Sequence, residues 1–120
     1  MQDSIYREII LEHYKNPLNY GVLNHADIDV SDVNPLCGDE IRLTLQIKNN
    51  RITDIAFESL GCAISKASAS LFTEEIKGKT LEDLQKVTPQ DVLNLLEVEL
   101  TPARTKCSLL VHKTLLKGFS

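Results

Sequence analysis

Residues 40–48 read Glu-Ile-Arg-Leu-Thr-Leu-Gln-Ile-Lys, with polar and apolar side chains alternating without a break. Successive side chains of a strand point to opposite faces. Ile41, Leu43, Leu45 and Ile47 therefore line a buried face, and Glu40, Arg42, Thr44, Gln46 and Lys48 a wet one. Asn49 and Asn50 tolerate the positive φ of a tight hairpin turn, and residues 51–58 return with Ile55 and Phe57 on the buried face. A hairpin with one apolar face needs a cover, and the rest of the chain has to supply it.

The cover is helical. Leu60 and Gly61 lead into a helix starting near Cys62, with Ile64, Ala67, Ser68, Leu71 and Phe72 on one face; it ends at Lys77 and Gly78, a basic last turn and a terminating glycine. Thr80 with Asp83 caps a short helix through Lys86. Thr88-Pro89 and Thr101-Pro102 open two more, with proline at the first helical position, the last running to Lys117 with Ala103, Cys107, Leu110, Val111 and Leu115 inward. At the other end, residues 4–15 form a helix with Tyr6, Ile9, Ile10, His13 and Tyr14 along its stripe, stopped by Asn16-Pro17; Ile5 and Leu11 fall outside the stripe. Residues 26–30 alternate weakly and read as an edge strand. The expectation is an α+β fold: a small three-stranded antiparallel sheet with helices on one face, residues 1–120 forming one domain.

Composition excludes several classes. With 17 acidic and 13 basic residues the net charge is −4, which argues against a nucleic-acid footprint, and with no Trp there is no evident platform for stacking bases. No apolar run approaches the roughly 20 residues of a membrane span. The start of the chain, with Gln2, Asp3, Arg7 and Glu8, does not resemble a secretion signal, so the expected location is the cytoplasm. Three cysteines, at 37, 62 and 107, are an odd number and widely separated, which favours metal binding or thiol chemistry over a disulfide framework.

Cys37 and Asp39 flank Gly38 at the mouth of the hairpin. Cys62 sits at a helix N-terminus, where unpaired N–H groups and the macrodipole favour a thiolate. Hairpin partners around Asn49-Asn50 have numbers that sum to about 99, which sets Cys37 opposite Cys62. Cys107, near the start of the last helix, can pack over the same end. Three thiolates and a carboxylate satisfy four-coordinate zinc, and sulfur ligands also suit iron–sulfur clusters. Asp39 is a harder ligand than thiolate, so such a site would be leaky; the alternative is three unrelated buried thiols. His13, His25 and His112 have no nucleophile partner and read as surface or core-edge residues. Lys66 and Lys106 offer positive charge near the thiolates or simply face solvent.

Three stretches carry a resemblance: Asn34-Pro35-Leu36-Cys37-Gly38-Asp39, residues 61–70 (Gly-Cys-Ala-Ile-Ser-Lys-Ala-Ser-Ala-Ser), and Ala103-Arg104-Thr105-Lys106-Cys107-Ser108. In this order they resemble the cysteine motifs of the U-type iron–sulfur cluster scaffold family (NifU N-terminal domain, IscU, SufU), and residues 13–21 resemble its N-terminal stretch. The resemblance implies a sheet with helices on one face. It implies that Cys37, Asp39, Cys62 and Cys107 hold metal or cluster, and that Cys37, Cys62 and Cys107 are candidate persulfide acceptors. It implies zinc in the isolated protein and a two-iron, two-sulfur cluster when loaded. The implied partners are a cysteine desulfurase and apo iron–sulfur proteins. The implied role is a scaffold or carrier rather than an enzyme; the alternatives are a zinc-dependent sulfur acceptor that activates the desulfurase and a structural zinc domain for protein interaction. Two departures bear on the branch. Lys106 stands where the IscU branch has a histidine, as in the SufU branch, yet residues 86–100 have no room for the extra segment usual in SufU. Residues 100–105 also replace the IscU-branch Leu-Pro-Pro-Val-Lys, so an Hsp70-type chaperone is not an expected partner.

Overall fold

In the computed structural model, which describes residues 2–36, 38–96 and 99–119 and side chains from Arg7 onward, the hairpin is the middle and one edge of a three-stranded antiparallel sheet. The strands are β1 (Ile28–Asn34), β2 (Asp39–Lys48) and β3 (Arg51–Leu60), in that spatial order. Asn49 and Asn50 turn the hairpin with φ of 52° and 63°, values that asparagine reaches more readily than most residues.

The hairpin is not uniform. Lys48 pairs with Arg51 and Ile47 with Ile52, but Gln46 pairs with Asp54, leaving Thr53 as an extra residue on β3. Partner numbers therefore sum to 99 beside the turn and 100 beyond the bulge, which corrects the expected register by one. The cause is apolar spacing. Ile52 and Ile55 are three apart and would face opposite sides of a regular strand. The bulge lets both point inward, where they are 0% and 1% exposed.

Strand β1 also differs from expectation, starting two residues later than position 26 and running to Asn34. Its second half looks too polar for a strand because Asp32 faces α5 (Pro102–Gly118), where Lys113 Nζ lies 3.6 Å from its carboxylate, and Val33 faces out. The free edge of β3 is occupied by the loop before β1: Phe57 N–H donates to the Asn19 carbonyl and Gly21 N–H to the Phe57 carbonyl.

Helices α2 (Ala63–Ile76), α3 (Leu81–Gln85), α4 (Pro89–Leu96) and α5 lie on the inner face, with α1 (Gln2–Lys15) packed mainly on α2. Ile41, Leu43, Leu45, Ile52, Ile55 and Phe57 from the sheet meet Phe72, Ile76, Val92, Leu110 and Leu115 from the helices. Each such side chain gains about 1.5–3 kcal/mol by leaving water, which is why the alternating strand dictates where the helices go. A smaller cluster joins Ile10, Ile64, Ala67, Leu96 and Cys107 beneath α1. Leu11, expected outside the α1 stripe, is 43% exposed; the side chains of Ile5 and Tyr6 lie outside the described residues. Among the described residues no helix is long and apolar enough to cross a membrane.

Candidate metal centre

Three chain segments deliver a donor atom to one end of the sheet. Asp39 is the first residue of β2, paired with Asn34 at the end of β1. Cys62 follows β3 directly, as the N-cap of α2 with extended φ and ψ of −78° and 161°. Cys107 lies in the second turn of α5, whose start is set by Pro102 and by the Thr101 hydroxyl accepting from Arg104 N–H. One oxygen of Asp39, Cys62 Sγ and Cys107 Sγ all fall within 4.8 Å of one another. Cys62 is half-buried, whereas Asp39 and Cys107 are buried.

The carboxylate is held tightly. Cys62 N–H donates to Asp39 Oδ1 at 2.9 Å, and Cys62 Sγ lies 3.6 Å from Oδ2. Gly61 makes this possible, because a Cβ there would stand 2.0 Å from Asp39 Oδ1, and its φ of +127° is one that a larger residue rarely adopts. The Ser65 hydroxyl sits 3.7 Å from Cys62 Sγ.

Asp39 is fully buried, and among the described residues no lysine, arginine or histidine forms an ion pair with it. A buried carboxylate beside two sulfurs is expensive unless a cation joins it. A tetrahedral zinc with ordinary Zn–S and Zn–O bonds separates a sulfur from an oxygen ligand by about 3.6 Å, the separation found between Cys62 and Asp39. The donor set thus fits zinc or another thiophilic cation.

Cys37, the fourth residue nominated by the sequence, lies outside the described residues. The corrected register sets position 62 against position 38 rather than 37 on extension of the ladder past Leu60. The histidines stand apart from the donors. His13 Nδ1 bonds to Ser70 Oγ at 2.7 Å, His25 is exposed, and His112 is buried against Phe72, with its Nε2 lacking a hydrogen-bond partner among the described residues. Lys66 does not simply face solvent. Its Nζ lies 5.0 Å from the Tyr14 ring centre and 4.7 Å from that of Tyr20, an arrangement attractive to a cation. Lys106 is exposed. Sequence reasoning missed Asn34 and Ser65, and the role of Gly61 as the space that Asp39 fills. Asn34 had a signal, since a side-chain amide two residues before a turn position commonly bonds to it.

The family model for the NifU-like N-terminal domain matches residues 5–120. The chain belongs to this family. Among NifU-like relatives, it is 42% identical to the zinc-dependent sulfurtransferase SufU of Bacillus subtilis, over 97% of this chain and 90% of that one. It is 39% identical to the iron–sulfur cluster assembly scaffold protein IscU 1 of Archaeoglobus fulgidus, over 77% of this chain and 60% of the relative's length. A crystal structure from Fervidobacterium islandicum, of a protein assigned to the SUF system as an iron–sulfur cluster assembly scaffold, superposes with a TM-score of 0.81 at 32% identity over 98% of each chain. The expected α+β architecture, a three-stranded antiparallel sheet carrying helices, is the NifU-like fold.

Proposed function

We propose that this NifU-like chain is an iron–sulfur cluster assembly scaffold: it accepts sulfur from a cysteine desulfurase and holds and passes on a nascent cluster. Residues 1–120 act as one domain, in the cytoplasm. The observation that carries this reading is the convergence of Asp39, Cys62 and Cys107 at one end of the sheet, and Cys37 completes the set of four ligands. In the isolated protein the same residues hold zinc. The cluster is cargo, assembled as the two-iron, two-sulfur form and released to apo-proteins. Asp39, the harder ligand, weakens the hold on it.

Sulfur arrives by exchange between thiols. A cysteine thiolate attacks the outer sulfur of the desulfurase persulfide, the donor's S–S bond breaks, and its electron pair leaves with the desulfurase thiolate. The acceptor then carries the persulfide. Cys37, Cys62 and Cys107 are the candidates, and of the two described Cys62 is the more open, at the half-buried mouth of the site.

A second reading, a zinc-dependent sulfur acceptor without a cluster, is favoured by the 42% identity to the Bacillus sulfurtransferase and by Lys106 beside Cys107. One experiment separates them. Protein purified aerobically is analysed for metal, then reconstituted anaerobically with ferrous iron and sulfide and followed by visible absorption. Zinc at purification and a stable sulfide-to-iron chromophore afterwards are the expected results. Zinc that persists with no chromophore, together with persulfide transfer from a desulfurase, selects the second reading. No uptake of either metal overturns both.

A further inference from the structure

Asn34 is buried, 7% exposed, at the last position of β1. A buried amide must place its donors and its acceptor, and the partners of this one are informative. Its Oδ1 accepts from Leu36 N–H at 3.2 Å, closing an Asx turn over Pro35. Its backbone carbonyl accepts from Gly38 N–H at 2.8 Å. Its Nδ2 points at Cys107 Sγ, 4.0 Å away and 73 residues distant in sequence. The residues on either side of position 37 are thus tied to the same asparagine that faces a thiol on α5.

The donor is aimed at sulfur rather than at the nearby carboxylate. A thiol accepts a hydrogen bond weakly, whereas a thiolate bearing negative charge is a much better acceptor, and such charge-assisted bonds are shorter and about twice as strong. We propose that Asn34 is a positioning residue for the metal centre. Its amide orients the Cys107 sulfur when that sulfur is metal-bound, and its two carbonyl oxygens carry that orientation into the turn preceding Asp39. This rests on the metal-holding reading above. The consequence is coupling: the Cys107 sulfur and the Leu36 and Gly38 amides are linked through one side chain and its backbone carbonyl.

The test uses the full chain loaded with cadmium-113. A through-bond correlation between the Asn34 side-chain amide protons and cadmium is expected, and the Leu36 and Gly38 amide signals should shift less on loading in Asn34→Ser than in wild type. The variant Asn34→Ser keeps an oxygen for Leu36 N–H but is too short to donate to Cys107. It should bind zinc roughly tenfold more weakly, as outer partners of ligands typically do when lost. Its sulfur-to-cobalt absorption band, in cobalt-substituted protein, should move to lower energy, which a merely structural residue would not cause. Wild-type protein that binds cadmium with the Asn34 amide signals unmoved overturns the proposal. So does a serine variant with unchanged zinc affinity and cobalt spectrum. Should the variant not fold, the wild-type spectra decide alone. Wild-type protein that takes up neither cadmium nor zinc removes the metal reading itself, and the proposal with it.

Discussion

Gly61 stands at a pinch point, with Asp39 Oδ1, Cγ and Cα all within 3 Å of where its Cβ would be. Two costs would follow from Gly61→Ala: backbone strain at φ +127°, of about 1–3 kcal/mol, and eviction of the Asp39 carboxylate. They separate in a double-mutant cycle with Asp39→Ala. Zinc affinity should collapse in either single variant, whereas the fall in urea midpoint of the metal-free protein caused by Gly61→Ala should shrink once the Asp39 side chain is gone. An equal fall in both backgrounds would show that the carboxylate does not press on this position. At this scale the sequence was legible for residue type and opaque for contact. Cys62 at a helix start, Asp39 at the hairpin mouth and Cys107 facing inward follow from local spacing. That Gly61 exists to admit Asp39 does not, because the two meet only through a register that Thr53 displaces by one. The turn bond of Asn34 was signalled locally, but its contact with Cys107 was hidden for a similar reason: the two are distant in sequence, and no periodicity links them.

The elements divide by how they are anchored. Strand β2 was plain from its alternation, whereas the far half of β1 owes its place to α5: Lys113 approaches Asp32, and Lys117 Nζ donates to the Ser31 carbonyl at 2.9 Å. Tertiary context thus made a strand from residues with little apolar pattern of their own. On the wet face, Arg42 ties the three strands together, with two hydrogen bonds to Asp29 of β1 at 2.9 and 2.7 Å and a 3.8 Å contact with Glu58 of β3. The hydrogen bonds from Arg42 hold the Asp29 carboxyl below the usual carboxylate range. A lowered folded-state pKa means that the pair's stabilisation is present above the ordinary carboxyl pKa, about 3.9, and disappears as pH falls through the folded value. The difference in urea midpoint between wild type and Arg42→Gln should therefore be small but measurable at about pH 6, and shrink progressively on acidification below about pH 4. A difference that holds constant or grows on acidification would mean that Arg42 acts by packing its stem instead. The pair is solvent-exposed, so added salt should shrink the difference too.

Across the whole molecule, one sheet face collects the helices and one sheet end collects the chemistry, and the link between them is strand length. The bulge divides the hairpin into two zones with different tolerance for insertions and deletions. Beside the turn there is slack. Removing Thr53 leaves the pairs from Gln46–Asp54 to Glu40–Leu60 intact, so the deletion should lower thermal stability yet leave zinc uptake near that of wild type. Beyond the bulge there is none. One alanine inserted after Glu58 would advance Gly61 and Cys62 by a residue and turn each to the opposite face, and zinc uptake should be lost although the chain still folds. Retained uptake in the insertion variant would show that the loop at positions 60–62 absorbs the change. Over evolutionary time, lineages descended from such a chain can trim the extra residue at Thr53, while the stretch from Asp54 to Cys62 is a ruler that admits no change of length.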